Sequence, residues 1–533
     1  MSTADEINKR RTFAIISHPD AGKTTLTEKF LLYGGVIQSA GTVKGKASDK
    51  HAVSDWMDLE KKRGISITSS VLQFNYGGFC INILDTPGHQ DFSEDTYRTL
   101  MAADNAIMVI DAAKGIEPQT RKLFKVCAMR GIPIFTFINK MDRDSRDPFE
   151  LLDELETEFG IGTYPVNWPI SSGRNFKGVY DRQKKTILAF NEFHQGSKRI
   201  EGVECDFSDT KDIDELIGED LRKELGDSIE LLDMASYELD MKKVNTGKLT
   251  PVFFGSALNN FGVEQFLQYF LKMTTPPLSH KTVDGETVLP TDDYFSAFVF
   301  KIQANMNKAH RDRIAFIRIC SGRFERQKEY YHVQSGKEVK LSQPQQMMAQ
   351  ERSIINEAYA GDIIGVFDPG IFYIGDTICE EKHKVKYKGI MTFAPEHFSE
   401  IEQIDSMKRK QFEKGMDQIA QEGAIQIFKI PGAGIERVIV GVVGVLQLEV
   451  LEYRMENEYG VKFRRKDLNY TLIKKIVSSP VSPDKLDLTN TMYVQDIRGR
   501  DMLIFAGQWC IDWAKSHNKG LELDDFEDLE IME

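Results

Sequence analysis

The sequence predicts three successive folding units: an α/β domain built on a mostly parallel sheet, an antiparallel β-barrel and an α+β domain. Three observations lead to this prediction. In the first half of the chain, apolar runs of strand length alternate with helical patterns, which is typical of right-handed crossovers and a parallel sheet covered on both faces. After Pro276 and Pro277, short β-rich runs separated by turn residues replace that alternation. The length of 533 residues is also too great for a single hydrophobic core.

The first unit is predicted to span residues 1–278. Its strands are the short apolar runs Thr12–Ser17, Cys80–Leu84, Ala106–Ile110, Pro133–Ile138 and Pro251–Gly255. The helical patterns between them are Lys23–Leu32, Phe92–Ala102, Gln119–Met129 and Pro148–Glu158. A mixed, charge-rich stretch at about residues 175–250 interrupts the alternation, and we interpret it as an insertion packed on this domain.

The barrel is predicted over residues 290–385, with strands at Phe295–Ile302, Ile314–Ile319 and Ile363–Phe367. The third unit, residues 388–533, mixes both kinds of pattern. We predict a helix over Glu400–Gly423, a strand over Arg437–Val442 and an amphipathic helix over Gly444–Tyr459. The acidic tail from Glu522 onward is expected to fray.

Composition excludes several classes of protein. No secretory signal or membrane-length apolar run occurs, and the six cysteines form no CxxC pair, so we expect a cytoplasmic protein without a zinc site or disulfides. We also expect the chain to be a monomer. The net charge of −13 argues against polycation-style binding of DNA or RNA. An RNA-rich partner could still meet a local basic surface, for which Arg311, Arg313 and Lys462–Lys466 are candidates, although solvated surface charge is the simpler interpretation.

A phosphate-binding loop is predicted between the first strand and the first helix. The residues match the pattern GxxxxGK[ST] with serine in the first place: Ser17, His18, Pro19, Asp20, Ala21, Gly22, Lys23 and Thr24. Gly22 lets the backbone curl so that N–H groups and the helix N-terminus face a phosphate anion. Lys23 would bridge the β- and γ-phosphates, and the Thr24 hydroxyl would bind Mg²⁺.

Three further motifs follow strands. The first is Asp85, Thr86, Pro87, Gly88 and His89, in which the aspartate can hold Mg²⁺ through water and the Gly88 N–H can meet the γ-phosphate. The second is Asn139, Lys140, Met141 and Asp142, in which the Asp142 carboxylate suits the donor pair of guanine rather than adenine. The third is Ser256, Ala257 and Leu258, which would close over the base. Each motif alone could be an ordinary turn, but together and in this order they predict a GTP site.

The motif series SHPDAGKT, RGISIT, DTPGH, NKMD and SAL resembles the GTPase domain of translation factors. Within that group the chain is most similar to the peptide chain release factor 3 family. The resemblance lies in Lys9–Thr25, Ser54–Thr68, Asp85–Leu100, Phe298–Phe316 and Val442–Glu449. Elongation factor G shares the early motifs but carries further domains, and this chain is expected to lack them because it ends where they would begin.

The resemblance implies a P-loop GTPase domain, a β-barrel and an α/β third domain. It also implies a ribosome-stimulated GTPase that ejects class-I release factors after peptide release. Ser66 stands where most relatives carry the magnesium-binding threonine, with Thr68 as a rival. His89 stands where small GTPases place a water-orienting glutamine, so it would place the attacking water. The catalytic group would then consist of His89, Lys23 and the Gly88 N–H. The segment Gln38–Ser66 and the segment after Gly88 would act as switches.

Three alternatives remain open at this point. The chain could be another translational GTPase, such as a truncated translocase or a ribosome-protection protein. A GTP-dependent regulatory or scaffold protein would bind no ribosome, so ribosomes would not stimulate its turnover. An ATP-driven enzyme is disfavoured by Asp142.

Overall fold

The fold is described from a computed structural model over residues 2–37, 69–190, 202–304, 313–348, 351–432, 437–478 and 485–526. Three large sheets, one after another along the chain, organise it. We call the parts of the chain built on these sheets the first, second and third domains. No helix in these ranges is long and apolar enough to cross a membrane.

The first domain contains a seven-stranded sheet in the order β2-β3-β1-β4-β5-β11-β6 and a smaller sheet in the order β10-β9-β8-β7. The strands are β1 (Arg10–Ser17), β2 (Ser70–Tyr76), β3 (Phe79–Asp85), β4 (Asn105–Asp111), β5 (Ile134–Asn139), β6 (Gly162–Pro165), β7 (Asn167–Ile170), β8 (Gly178–Asp181), β9 (Thr186–Ala189), β10 (Val203–Asp206) and β11 (Leu249–Phe254). The helices are α1 (Thr3–Asn8), α2 (Lys23–Tyr33), α3 (Ser93–Met101), α4 (Pro118–Met129), α5 (Pro148–Phe159), α6 (Thr210–Leu216), α7 (Glu219–Ala235), α8 (Met241–Asn245) and α9 (Val263–Met273).

The large sheet is parallel except for β2, which pairs antiparallel with β3. Neighbouring residues of a strand point to opposite faces of the sheet. Because both faces of this sheet are covered, successive residues along a strand are buried on alternate sides. Along β1, Phe13 and Ile15 pack into one core cluster, and Ala14 and Ile16 pack into another. The predicted mostly parallel sheet with helices on both faces is therefore confirmed, and its strands end at one edge, where each sequence motif follows.

The second domain is antiparallel throughout, with the sheet order β18-β17-β23-β14-β15-β22-β19-β20 and a separate pair, β16-β21. After a short hairpin, β12 (His280–Lys281) and β13 (Thr287–Val288), its strands are β14 (Ser296–Ala304), β15 (Arg313–Ser321), β16 (Arg323–Glu325), β17 (Glu329–His332), β18 (Lys337–Lys340), β19 (Ser342–Met348), β20 (Glu351–Ile354), β21 (Glu357–Tyr359), β22 (Ile363–Phe367) and β23 (Thr377–Cys379). The antiparallel pairing is confirmed, and the closure of the sheet into a barrel stays a prediction.

The third domain has an antiparallel sheet in the order β27-β24-β26-β25-β29-β30-β28-β31, with helices packed on it. Its elements are β24 (His397–Gln403), α10 (Arg409–Gln421), β25 (Gln426–Lys429), β26 (Arg437–Val442), α11 (Leu446–Asn457), β27 (Phe463–Leu468), β28 (Leu472–Ile476), β29 (Thr491–Asp496), β30 (Asp501–Phe505), α12 (Gln508–His517) and β31 (Leu523–Asp525). The mixed α+β character is confirmed.

One predicted helix in this domain is wrong at its start. We predicted a helix over Glu400–Gly423, but its first residues belong to β24 and the helix α10 begins only at Arg409. Glutamate and glutamine favour helices weakly, and pairing on both edges of β24, with β26 and β27, overrides that preference.

The candidate basic residues differ from one another in burial and pairing. Arg313 is buried, lies 3.1 Å from Asp368 and donates to the Phe372 carbonyl at 2.8 Å, so it is a structural residue; Arg311 lies outside the described residues. In the Lys462–Lys466 stretch, three of the cations are ion-paired, with Glu456, Glu402 and Asp467. This pairing reduces the positive potential that an RNA backbone would meet.

Candidate guanine-nucleotide site

The phosphate-binding loop joins β1 to α2 at the carboxyl edge of the large sheet. Ser17 is the last residue of β1, and Lys23 and Thr24 open α2. Gly22, the N-cap of that helix, has a φ of 101°, and a Cβ there would lie 2.2 Å from the Asn139 side-chain nitrogen. Both the left-handed backbone and the close approach therefore require glycine. The loop directs the free N–H groups of the first helical turn towards the space beyond the sheet.

Asn139 connects three of the predicted motifs. Its side-chain nitrogen donates to the Ala21 carbonyl at 2.8 Å, and its side-chain oxygen accepts from the N–H groups of Lys140 and Ala257, both at 2.8 Å. A single buried amide thus fixes the phosphate loop, the loop after β5 and the loop after β11 to one another. The structure brings these motifs together as the sequence predicted.

Lys140 has a partner that the sequence analysis missed. Its ammonium donates to the Asp20 carbonyl and to the Asp111 carboxylate, both at 2.6 Å. Asp111 is the last residue of β4, so it reaches the same edge of the sheet. The available sequence signal was the position of Asp111 directly after the predicted strand Ala106–Ile110, but Asp111 belongs to none of the nucleotide motifs.

Asp142 carries the clearest indication of an absent ligand. Its Oδ1 atom is buried and has no hydrogen-bond partner among the described residues. A buried carboxylate oxygen without a donor is costly, so native structures almost always supply one. The N1–H and exocyclic amine of guanine are two adjacent donors of the required kind.

Lys23 and Asp85 form a buried ion pair at the centre of the site, with side chains 6% and 2% exposed. Thr86, the next residue, donates its hydroxyl to the Ile15 carbonyl at 2.7 Å, which holds the loop after β3 against β1. A Cβ on Gly88 would lie 3.5 Å from the Pro19 Cα, so the Gly88 loop lies against the phosphate loop. The two motifs therefore face the same space.

His89 begins the short 3-10 helix Gln90–Phe92 that leads into α3. Its Nδ1 atom lies 3.3 Å from the Asp91 backbone nitrogen and 3.2 Å from the Asp91 carboxylate. The side chain is 35% exposed, so solvent reaches the ring.

The remaining predicted residues complete the site only in part. The Ser17 hydroxyl donates to the His18 carbonyl at 2.9 Å, and the His18 Nε2 lies 3.3 Å from Glu117. Ser256 and Ala257 are buried, and Leu258 is 37% exposed. Ser66, Thr68 and the switch segment Gln38–Ser66 lie outside the described residues.

Comparisons with known proteins identify each part of the chain. Three family models match: the elongation factor Tu GTP binding domain over residues 8–276, elongation factor G domain 2 over residues 294–381, and the class II release factor RF3 C-terminal domain over residues 387–515. A crystal structure of a protein from Thermus thermophilus covers 92% of this chain and 72% of its own, with a TM-score of 0.69 at 18% identity. That likeness supports the fold alone.

Curated relatives match over nearly their full length. Peptide chain release factor 3 of Symbiobacterium thermophilum is 55% identical over 98% of each chain. The protein of that name from Trichodesmium erythraeum is 52% identical over 97% of this chain and 95% of its own. With a candidate guanine-nucleotide site at the edge of its first sheet, the chain belongs to the peptide chain release factor 3 family, the GTP-hydrolysing factors of translation termination.

Proposed function

We propose that this chain acts in the cytoplasm as a monomer, hydrolyses GTP on the ribosome and thereby promotes the departure of class-I peptide release factors. The observation that carries the nucleotide assignment is the buried, partnerless Oδ1 of Asp142 beside loops that Asn139 holds together. The class of partner rests on the name shared by relatives that match 98% or 97% of the chain. A GTP-bound shape that fits the ribosome better than the GDP-bound shape would supply the differential contact that displaces a bound factor.

The Lys23–Asp85 pair is suited to receive a charged polyphosphate. In the structure the Lys23 ammonium neutralises the Asp85 carboxylate, which is 2% exposed and would be costly to leave unpaired. When GTP binds, Lys23 contacts the β- and γ-phosphates and the N–H groups after Gly22 surround them. The Asp85 carboxylate would then be available to hold Mg²⁺.

The donor atoms fit Mg²⁺. The ion prefers hard oxygen ligands and keeps several waters and substrate phosphates, so it needs few protein groups. The Thr24 hydroxyl and the Asp85 carboxylate would hold it, with Ser66 or Thr68 from the undescribed segment. Among the described residues no cluster of three or more His, Cys, Asp or Glu side chains is placed to hold a metal. Mg²⁺ supplies positive charge where the transferred phosphoryl group becomes more negative.

Hydrolysis then depends on two neighbours in the loop after β3. The Gly88 N–H donates to the γ-phosphate, and the loop's contact with Pro19 keeps that N–H beside the phosphate loop. The His89 ring orients the attacking water, for which its solvent-accessible position is suited. Neither residue needs to be a strong base, because phosphoryl transfer relies chiefly on positioning and charge stabilisation.

The principal test measures GTP turnover with and without 70S ribosomes, together with the departure of a labelled class-I release factor from a stop-codon complex. Ribosomes are expected to stimulate turnover, and the release factor is expected to leave faster with GTP than with GDP. His89→Ala should bind GTP normally but hydrolyse it on the order of 10²-fold more slowly on ribosomes. Wild-type turnover in that variant would remove His89 from the mechanism, and a release factor that stays bound would point to a different client.

The base-reading role of Asp142 has a separate test. Asp142→Asn should weaken GTP binding and strengthen binding of xanthosine triphosphate. Guanine presents two donors to residue 142, whereas xanthine presents a donor and an acceptor, which match the oxygen and the amide nitrogen of asparagine. Asp144→Asn, which removes an exposed carboxylate two residues along the same loop, is the matched control and should keep the preference for GTP. Equal preference in both variants would contradict the assignment.

A further inference from the structure

We infer that Asp91 is a positioning residue for GTP hydrolysis, through which the third domain controls the orientation of His89. The inference rests on the proposed role of His89 in placing water. It adds a residue outside the nucleotide motifs and a route by which a distant domain acts on the reaction.

The two oxygens of the Asp91 carboxylate have different neighbours. Oδ1 lies 3.2 Å from the Nδ1 atom of His89. Oδ2 accepts a hydrogen bond of 2.8 Å from the backbone N–H of Leu446, the first residue of α11 in the third domain. One half-buried carboxylate therefore joins the candidate water-placing ring to a helix that begins 355 residues further along the chain.

The contact with Oδ1 bears on which ring nitrogen of His89 carries the proton. A carboxylate beside Nδ1 favours a proton on that atom, which leaves Nε2 free to accept a hydrogen from water. The backbone N–H of Asp91, 3.3 Å from the same Nδ1, favours the opposite tautomer because it needs Nδ1 as an acceptor. The position of the Asp91 side chain therefore decides between two states of His89.

The third domain fixes that position by close approach. A Cβ on Gly444 would lie 2.1 Å from the Asp91 Cγ atom, so only glycine allows the third-domain backbone to reach the carboxylate. Beside this contact, Phe92 packs against Val450 of α11, with Leu446 and Tyr453 around them. The segment that carries His89 is held between these polar and apolar contacts as long as the third domain is docked.

The consequence is a coupling between domain arrangement and hydrolysis. When the third domain is docked, Leu446 holds one oxygen of Asp91 and the other stays at His89. When the third domain moves away, Asp91 loses that hydrogen bond and turns towards solvent, and the backbone N–H alone then sets the tautomer of His89. A misplaced catalytic group of this kind costs on the order of 10²-fold in rate.

The test compares variants in both domains by their kcat and KM for GTP on ribosomes. Asp91→Asn removes the charge beside His89, and Gly444→Ala removes the docking contact from the third-domain side. Each should lower kcat on the order of 10²-fold and leave KM for GTP unchanged. Gly507→Ala, at a third-domain glycine with open space around its Cβ position and an extended backbone, is the matched control and should behave as wild type.

The double variant Asp91→Asn with Gly444→Ala should lose no more than either single variant, because both act on one contact. Wild-type kcat in Gly444→Ala, a change in KM alone, or losses that multiply in the double variant would each overturn the inference. Circular dichroism of every variant ensures that a loss is not caused by unfolding. If His89→Ala is slow while both Asp91 and Gly444 variants are normal, the proposed function stands and only this inference fails.

Discussion

The first domain meets the other two domains in different ways. At the second-domain joint, which we define by Asp104, Arg318 and Gly361, a buried ion pair crosses between domains. The Arg318 guanidinium donates to the Asp104 carboxylate at 2.6 Å, and the two side chains are 1% and 2% exposed. The Gly361 carbonyl of the second domain accepts from the Thr12 hydroxyl of the first at 2.6 Å. Separating these domains would leave two charges without partners.

At the third-domain joint, which we define by Asp91, Arg98, Glu422 and Leu446, the charged side chains are paired inside their own domains. Arg98 pairs with Glu94 on α3, and Arg454 pairs with Glu422 at 2.6 Å within the third domain. The bonds that cross are weaker: the Leu446 N–H donates to Asp91 at 2.8 Å, and the Arg98 guanidinium donates to the Glu422 carbonyl at 3.3 Å.

The difference indicates which joint can open during the GTPase cycle. Opening the second-domain joint has to pull apart the hydrogen-bonded Arg318–Asp104 ion pair, and such a charge-assisted hydrogen bond is stronger than one between neutral groups. The third-domain joint can open while its ion pairs remain intact, so water has to replace hydrogen bonds that involve backbone groups, among them the one that the Ala304 N–H of the second domain donates to Glu422 at 3.0 Å. We therefore expect the first and second domains to move as one body and the third domain to move against them.

The largest expected effect is the loss of the crossing ion pair. Arg318→Met leaves the Asp104 carboxylate buried without its guanidinium and should destabilise the protein by about 3–5 kcal/mol. Urea unfolding followed by tryptophan fluorescence measures it. Arg121→Met breaks the exposed pair with Glu158, both about two-fifths exposed, and is the control, with a change of at most about 1 kcal/mol. Similar midpoints for the two variants would show that the second-domain joint is not held by its ion pair.

An intermediate effect is expected from acid, and it also concerns the second-domain joint. His280 packs against Phe298 and Tyr387, with ring centroids 5.7 and 5.9 Å away, and its Nε2 is buried without a hydrogen-bond partner in the described part of the chain. Burial, and then the positive charges of Arg318 and Arg130, hold the pKa of His280 well below its usual 6.5.

Because the pKa of His280 is lowered in the folded state, only the unfolded state takes up a proton as pH falls below about 6.5, so the folded state loses stability in that range. Wild type should therefore lose up to about 1.4 kcal/mol more per pH unit below 6.5 than His280→Phe, which has nothing to protonate there. Unfolding at pH 7.5 and 5.5 measures the difference. His383→Phe, at an exposed position of the second domain, should retain the acid dependence of wild type; equal acid sensitivity in His280→Phe would contradict the argument.

The nucleotide loops could be predicted from the sequence because their signals are local. Each motif follows an apolar strand, and parallel strands end at one edge, so the order of motifs predicts that they meet. Asn139 was predicted as part of one motif, but its bonds to Ala21 and Ala257 span 118 residues and no local pattern reports them.

The joints could not be predicted in the same way. Asp91 and Leu446 are 355 residues apart, and Asp104 and Arg318 are 214 apart, so neither pair leaves a periodic or motif signal. The surface prediction for Arg313 failed for the same reason. The sequence beside Arg311 indicates an exposed cation, but in the structure Arg313 is buried inside the second domain and Asp368 neutralises it. The helix predicted from Glu400 failed because the partners of β24 are not its neighbours in sequence.

The smallest expected effect is a difference in local opening between two equivalent bonds. The Leu278 N–H donates to the Asp104 carboxylate at 2.9 Å at the second-domain joint, and the Leu446 N–H donates to the Asp91 carboxylate at 2.8 Å at the third. Geometry alone would give the two amides similar protection from exchange. Because Asp104 is also paired with Arg318, opening at Leu278 has to disturb an ion pair whose side chains are 1% and 2% exposed, whereas opening at Leu446 disturbs a single carboxylate that is already 13% exposed.

Hydrogen exchange, corrected for intrinsic rates, should therefore be at least about tenfold faster at Leu446 than at Leu278, a difference of about 1.4 kcal/mol in opening free energy. Gly444→Ala should raise the rate at Leu446 and leave Leu278 unchanged, while Gly507→Ala should change neither. Equal protection in wild type would mean that hydrogen-bond geometry, rather than the placement of charge, sets the strength of both joints. The third domain would then have no preferred freedom to move, and the coupling through Asp91 would lose its physical basis.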